Sequence, residues 1–184
     1  MDPEELIRQV RLGDELAWEA FVRAHQGRVF GLAYHYTTHA EDARDLAQEV
    51  FVRIYQNLAR IPEADGVVGW LLRITRNASI DFLRRKQARP PAWDLPVEDF
   101  QGLASPEPDP QAAHEAQARR VEIHRALRDL SDLNREMILL KEIHGLGLEE
   151  IARMLEIPLG TAKSRSNRAR LELADKLAAA GWGG

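Results

Sequence analysis

Two short stretches of the sequence concentrate the side chains that could bind nucleic-acid phosphates. Between Trp70 and Arg89 there are six basic residues and one acid, and between Leu159 and Arg170 there are four basic residues and no acid. Arginine and lysine neutralise phosphates, and short polar side chains on a helix can reach base edges in a major groove. The two stretches therefore predict nucleic-acid contacts. The alternative for either one alone is an ordinary solvated surface.

The composition of the whole chain argues against tight DNA binding without a partner. The 184 residues include 25 basic and 29 acidic side chains, a formal net charge of −4. A protein that binds DNA tightly by itself needs a positive surface. Cysteine is absent, which excludes disulfides and cysteine nucleophiles and agrees with a cytoplasmic location. No apolar run approaches the roughly 20 residues that cross a bilayer, so we expect no membrane insertion.

The sequence offers no pattern typical of an enzyme. His35 and His39 are four residues apart, but the residues between them lack the glutamate of the H-E-x-x-H zinc motif. Glu41, Asp45 and Glu49 share a helix face without the Glu-x-x-His pairs of di-iron bundles. There is no glycine-rich phosphate loop and no nucleophile elbow. We therefore predict no catalytic residues, no metal site and no cofactor.

A proline-rich, acidic segment divides the chain into two modules. Six of the nine prolines lie between Pro90 and Pro110, and residues 94–115 contain six acids and no lysine or arginine. This composition predicts a flexible linker over residues 90–111, between modules at 1–89 and 112–184. The rest of the chain has helical periodicity and no strand-like alternation of useful length. The predicted fold class is therefore all-α, with two small helical modules.

The N-terminal module is predicted to contain several helices. Short helices are expected over residues 6–10 and 15–25, and a more apolar one over 27–36. The clearest pattern runs from about Ala40 to Ala59, where apolar residues recur at three- and four-residue steps. A loop follows, and another helix is expected over Val67–Lys86 with Leu71, Ile74 and Ala78 as its buried row. The apolar stripe of the third helix comprises Ala43, Leu46, Ala47, Val50, Phe51, Ile54 and Leu58.

The C-terminal module contains the pattern of a helix-turn-helix. A first helix is predicted over residues 112–129, and a second is capped by Ser131 and ended by Gly145. A short amphipathic helix at 148–155, a turn at 156–159 and a basic helix to about Leu177 then complete the motif. A plain helical hairpin with a basic surface is the alternative. The candidate DNA-binding residues of the basic helix are Thr161, Lys163, Ser164, Arg165, Asn167 and Arg168.

Three strings of the sequence resemble bacterial RNA polymerase sigma factors of the extracytoplasmic-function type. DARDLAQEVFVRIYQNL resembles region 2.2, GWLLRITRNASIDFLRRK resembles regions 2.3 and 2.4, and LEEIARMLEIPLGTAKSRSNRARLEL resembles region 4. The resemblance covers about residues 17–177 and implies a factor with regions 2 and 4 only. Such a factor carries polymerase core to promoters and assists strand opening.

The resemblance also implies partners and site residues. The partners are the polymerase core, through its largest-subunit coiled coil and its flap, promoter DNA, and an anti-sigma factor. On the third helix, a mixed acidic and apolar face would bind the core through Asp45, Gln48, Glu49 and Val52. The minus-ten element would be read and melted by Ile61, Arg73, Arg76, Asn77, Ile80, Asp81, Arg84 and Arg85, and the basic helix of the helix-turn-helix would read the minus-thirty-five element.

Three departures from the family pattern bear on these expectations. The predicted loop Ile61–Gly69 lacks the aromatic residues often found in the family's base-capture loop, which leaves the minus-ten preference open. Ala162 and Ser166 stand where valine and leucine are usual. Both belong to the inner row of the recognition helix, the side that packs on the rest of the module, so this row has smaller side chains. Gly147 stands where a serine or threonine cap is usual. A stand-alone helix-turn-helix regulator is the alternative function, although it leaves the basic stretch Trp70–Arg89 unexplained.

Overall fold

The structure is a computed structural model that describes residues 2–86 and 122–182. The described residues form two compact units, which lie within residues 1–102 and 103–184 and are called here the N-terminal and C-terminal units. Within the described residues, all regular secondary structure is helical. The predicted linker at 90–111 and the first part of the helix predicted at 112–129 lie outside the described residues. No helix in the described ranges has both the length and the hydropathy needed to cross a membrane.

Four α-helices build the N-terminal unit: α1 (Pro3–Arg11), α2 (Glu15–Thr37), α3 (Ala40–Tyr55) and α4 (Ala64–Lys86). The side chain of Asp14 caps α2 by accepting a hydrogen bond from the Ala17 amide at 2.8 Å. Helix α2 packs against both α3 and α4, and α1 lies against α2 and α4. The core at this junction is apolar and includes the fully buried Phe21, Leu46 and Leu71.

Helix α2 is continuous, whereas the sequence predicted two helices separated near Gly27. A glycine inside a helix costs about 1 kcal/mol relative to alanine, which favoured a break at this point. Residues on both sides of Gly27 are buried in the same core, Phe21 before it and Val29 and Ala33 after it. Burial of these side chains offsets the local cost, so tertiary packing determines the length of the helix.

The connection between α3 and α4 begins and ends earlier in the sequence than predicted. Helix α3 ends at Tyr55, and a 3₁₀ helix (Leu58–Arg60) replaces its predicted last turn. Helix α4 begins at Ala64, three residues before the start predicted at Val67, so Ala64–Gly66 is helical where a loop was predicted. The buried Val67 joins the core and draws this segment into the helix. The segment Gln56–Glu63 is called here the α3–α4 connection.

The C-terminal unit begins with a helical segment at residues 122–128, called α5. It continues with α6 (Asp132–Ile138), a π-helical turn at Leu139–Ile143, α7 (Leu148–Leu155) and α8 (Leu159–Ala179). The predicted Ser131 cap is confirmed, since its side chain accepts a hydrogen bond from the Asn134 amide. Gly145 ends the helical run with φ +75°, a left-handed conformation that glycine adopts readily.

Candidate nucleic-acid interface

The basic helix of the N-terminal unit buries one side and exposes the other. Leu71, Thr75 and Ala78 lie on the buried side of α4, and Ile74 is half-buried against the same core. The hydroxyls of Thr75 and Ser79 each donate to a carbonyl one turn back, at 2.8 Å, which satisfies these buried polar groups within the helix. The predicted residues Arg73, Asn77, Asp81, Arg84 and Arg85 are exposed, and Arg76 and Ile80 are partly exposed.

Two of the arginines on α4 are paired with acids. Arg84 lies 3.8 Å from Asp81 one turn earlier, and Arg85 lies 3.7 Å from Glu49 on α3. Glu49 also accepts a hydrogen bond from Arg53 on its own helix. Because ion pairs between exposed side chains contribute little free energy, typically below about 1 kcal/mol, these arginines can exchange a carboxylate for a phosphate at low cost.

Ile61 does not lie on this surface. Its side chain is 1% exposed and belongs to the core of the N-terminal unit, so the expectation that it is available to DNA is wrong for the side chain. Apolar burial stabilises an isoleucine side chain by about 2 kcal/mol, which explains why it turns inward from a short connection. The exposed side chains beside it belong to Arg60 and Glu63.

The predicted polymerase-binding residues share one exposed face of α3. Asp45, Gln48 and Val52 are exposed, and Glu49 is half-buried between its two arginine partners. Sequence reasoning missed Tyr55, which is 47% exposed and packs on Trp18 with ring centroids 5.2 Å apart. Its spacing of three residues from Val52 was the available signal. The face is therefore acidic at one end and apolar at the other.

Helices α7 and α8 form the predicted helix-turn-helix. Helix α7 has the predicted bounds, and Glu156 ends it in a left-handed conformation with φ 55°. Gly147 occupies the N-cap of α7 and offers no side-chain hydrogen bond, as predicted. The inner row of α8 consists of small residues that are almost fully buried: Ala162, Ser166 and Ala169. Close packing of α8 on α6 and α7 follows from this row.

The outer side of α8 carries the candidate DNA-binding residues. Thr161, Lys163, Ser164, Asn167 and Arg168 are exposed, and Arg165 is partly exposed. Among the described residues, none of the three cations in this set has an acidic partner within 4.0 Å. Charges that have no internal partner remain available for phosphates.

The buried Arg135 joins α6 to the end of α5, and the sequence did not single it out. Its guanidinium donates to the carbonyls of Leu127, Arg128 and Leu130 at 2.7–2.8 Å and to Asp132 at 3.2 Å. These carbonyls lie at the end of α5, where helical hydrogen bonds run out. Burial lowers the pKa of Arg135, and Asp132 opposes this effect. No sequence pattern distinguishes such an arginine from a surface one.

The two histidines considered above as metal ligands differ in their exposure. His35 is buried in α2, whereas His39 is exposed at the N-cap of α3. Within the described ranges, no group of three or more histidine, cysteine, aspartate or glutamate side chains is placed to hold a metal ion.

Comparison with known families matches both units. The Sigma-70 region 2 family matches residues 21–89, and the Sigma-70 region 4 family matches residues 120–173. The ECF RNA polymerase sigma factor SigE of Mycolicibacterium smegmatis is 36% identical over 169 residues, which are 90% of this chain and 65% of that protein. The RNA polymerase sigma-H factor of Pseudomonas aeruginosa is 32% identical over 179 residues, 94% of this chain and 92% of that protein.

Solved structures show the same fold. The structure of CnrH in complex with the cytosolic domain of CnrY is similar with a TM-score of 0.62 and 25% identity, covering 97% of this chain and 99% of that chain. The sigma factor RpoE of Bartonella quintana, in complex with the anti-sigma factor NepR, has the same TM-score at 23% identity, covering 86% of this chain and 95% of that chain.

A helical unit matched by region 2, followed by a helix-turn-helix unit matched by region 4, defines a sigma-70-type factor. The chain belongs to the ECF RNA polymerase sigma factors, a family of non-enzymatic transcription initiation factors.

Proposed function

We propose that this protein binds the RNA polymerase core in the cytoplasm, directs it to specific promoters and assists opening of the DNA strands. The observation that carries the proposal is the pair of long helices, α4 and α8, one in each unit, that bury an apolar or small-residue side and expose basic and polar residues. The matches of the two units to Sigma-70 regions 2 and 4 support a role for these helices in promoter recognition.

The two units bind different promoter elements. Residues 1–89 bind the core and the minus-ten element, residues 112–184 bind the minus-thirty-five element, and residues 90–111 link them. Along α4, Arg73, Arg76, Arg84 and Arg85 follow the phosphate backbone. Asn77, Ile80 and Asp81 lie nearest the separated bases, where strand opening creates a need for partners. The side chain of Ile61 is left out of this contact set because it is buried.

The recognition helix α8 binds the major groove of the minus-thirty-five element. Thr161, Ser164 and Asn167 are short polar side chains suited to base edges. Lys163 and Arg168 neutralise phosphates, and Arg165 binds either a phosphate or a guanine. Their freedom from acidic partners among the described residues supports this assignment.

The exposed face of α3 is the docking surface for the largest-subunit coiled coil of polymerase. Asp45, Gln48, Glu49 and Val52 form it, and their mixed acidic and apolar character suits a basic amphipathic helix. The C-terminal unit contacts the flap. The solved relatives were captured with CnrY and with the anti-sigma factor NepR, which supports an anti-sigma factor as a further partner of this chain.

Because the chain has a net negative charge, its binding to promoters depends on the RNA polymerase core. A net charge of −4 opposes association with DNA in general, while two local basic surfaces permit it where the polymerase holds both units at promoter spacing. A factor of this kind does not occupy promoters alone.

Run-off transcription with purified core on a promoter library tests the proposal. Specific transcripts are expected only when the full-length protein is present. The variant Asp45→Lys should lose core binding because it reverses a charge on the α3 face. Glu4→Lys, which makes the same charge change at an exposed site on α1, should retain core binding and transcription. Failure of the wild-type protein to bind core contradicts the proposal and leaves the stand-alone regulator as the better description.

A further inference from the structure

Helix α1 lies outside the segment 21–89 that the region 2 family matches, yet it is built into the same core. Ile7 and Val10 are buried on its inner side, and the helix contacts both α4 and the 3₁₀ helix of the α3–α4 connection. The helix therefore touches the connection that precedes α4, the helix assigned above to the minus-ten element.

One hydrogen bond joins α1 to this connection directly. The Nε of Arg11, in the last turn of α1, donates to the carbonyl oxygen of Ile61 at 2.8 Å, across a sequence separation of 50 residues. The donor is charged, and charged donors give stronger hydrogen bonds than neutral ones. Arg11 has no acidic partner among the described residues, and its guanidinium is held by the Ile61 carbonyl.

Ile61 is consequently held at two points. Its side chain is buried in the core, and its carbonyl is bound by Arg11. The amides of Arg60 and Ile61 donate to the carbonyls of Asn57 and Leu58, which completes the 3₁₀ turn. The next residue, Pro62, lies beside Gly66 in the first turn of α4, where a Cβ added to Gly66 would be in ordinary contact with it at 3.5 Å. The restrained Ile61 therefore lies three residues before the start of α4.

We propose that Arg11 is a positioning residue that sets the geometry of the α3–α4 connection, and through it the presentation of Arg60, Glu63 and α4 to the minus-ten DNA. The inference rests on the proposed function for its consequence in transcription. Its structural part, the restraint of the connection by α1, stands independently. Arg11 itself is not assigned a contact with DNA.

Hydrogen exchange on the free, full-length protein tests the structural part. The variant Arg11→Met removes the donor and keeps much of the side-chain length. It should raise the exchange rates of the Arg60 and Ile61 amides about three- to tenfold, the range for losing a partly exposed hydrogen bond from a charged group. Arg11→Lys keeps the charge and a donor and should restore part of the protection.

The matched control is Arg8→Met on the same helix. Arg8 is exposed one turn earlier and bonds locally to Glu5, without reaching the connection. This variant should leave exchange at Arg60 and Ile61 unchanged. Equal exchange in the Arg11→Met and Arg8→Met variants overturns the inference, as does a uniform increase throughout the N-terminal unit, which indicates simple destabilisation.

Transcription from a promoter library supplies the functional readout. Arg11→Met holoenzyme should show an altered base preference at minus-ten positions and slower strand opening, with core affinity and minus-thirty-five preference unchanged. An unaltered minus-ten preference, or an equal loss on all promoters, contradicts the positioning role. If the wild-type protein does not start transcription, the proposed function is contradicted. The hydrogen-exchange rates then remain the test of whether Arg11 restrains the α3–α4 connection.

Discussion

The two units expose a basic helix by different means. In the N-terminal unit, α4 rests on a large apolar core drawn from three other helices, with Phe21, Leu46 and Leu71 among its fully buried side chains. In the C-terminal unit, α8 rests on short helices through small residues, and the buried set includes Asn134 and Arg135. The buried hydroxyls of α4 bond within their own helix, whereas Asn134 and Arg135 bond to other helical segments, so buried polar side chains join the elements of the second unit.

The charges on the two helices differ as well. Arg84 and Arg85 of α4 have acidic partners, whereas Lys163, Arg165 and Arg168 of α8 have none among the described residues. A helix that reads duplex DNA through its phosphates benefits from unpaired cations. Helix α4, proposed above to contact separating strands, carries Asp81 among its arginines, and this acid weakens the attraction of the helix to DNA in general.

The largest expected effect concerns the polar support of the C-terminal unit. Arg135→Met should lower the free energy of unfolding of this unit by about 2–4 kcal/mol, because the carbonyls of Leu127, Arg128 and Leu130 lose their bonds from the guanidinium, and the Leu127 carbonyl keeps the Leu130 amide. Urea denaturation and hydrogen exchange over residues 122–143 measure it. Arg128→Met, at an exposed position, should change stability by less than about 0.5 kcal/mol. Similar small losses in both variants would show that apolar burial suffices in this unit too.

A smaller change in the free energy of unfolding is expected in the N-terminal unit, where the partly buried His25 makes stability depend on pH. Burial, aided by repulsion from Arg28, lowers the pKa of His25 to about 4. The ring packs on Phe21 with centroids 4.7 Å apart. In the unfolded chain the pKa is near the ordinary 6.5, so between these values the unfolded state binds more protons. Stability is therefore full above pH 6.5 and falls as the pH drops toward 4.

Partial exposure of His25 limits the loss to about 1–2 kcal/mol. Unfolding free energies between pH 4 and pH 7 should show this slope in the wild-type protein and a flatter one in His25→Gln. His39→Gln, at an exposed site on the same unit, is the control and should keep the wild-type slope. An unchanged slope in His25→Gln would mean that other groups cause the acid sensitivity.

The smallest expected effect is a difference between arginines of α4 and α8 in how they change the salt dependence of promoter binding. Holoenzyme affinity for a promoter should be measured at several salt concentrations. Arg168→Gln should reduce the slope of log affinity against log salt by about 1, because one phosphate contact is lost. Arg84→Gln should reduce it less, because Asp81 already competes for that arginine. Equal reductions would remove the distinction between the two helices.

Local patterns were sufficient to predict much of the C-terminal unit. Helix α7 has its predicted bounds, Ser131 and Gly145 act as cap and stop, and Ala162 and Ser166 lie on the buried side of α8 as predicted. These features depend on side-chain spacing and on turn chemistry within a few residues, which a single sequence displays directly.

The failures all involve contacts between distant residues. The continuity of α2 through Gly27 depends on a core assembled from several helices, and the inward turn of Ile61 depends on the same core. The carbonyl partners of Arg135 and the packing of Tyr55 on Trp18 are equally invisible in local periodicity. The residues assigned to DNA and polymerase remain predictions, because surface exposure permits a contact without identifying the partner.

The separation of the two rows on α8 has a consequence for variation among related factors. The buried row, Ala162, Ser166 and Ala169, shares no residue with the exposed positions of the helix. Substitutions at exposed positions away from caps usually change stability by less than about 0.5 kcal/mol. The surface of α8 proposed to bind DNA can therefore change in sequence while the buried row stays the same, so that a new promoter preference need not cost stability.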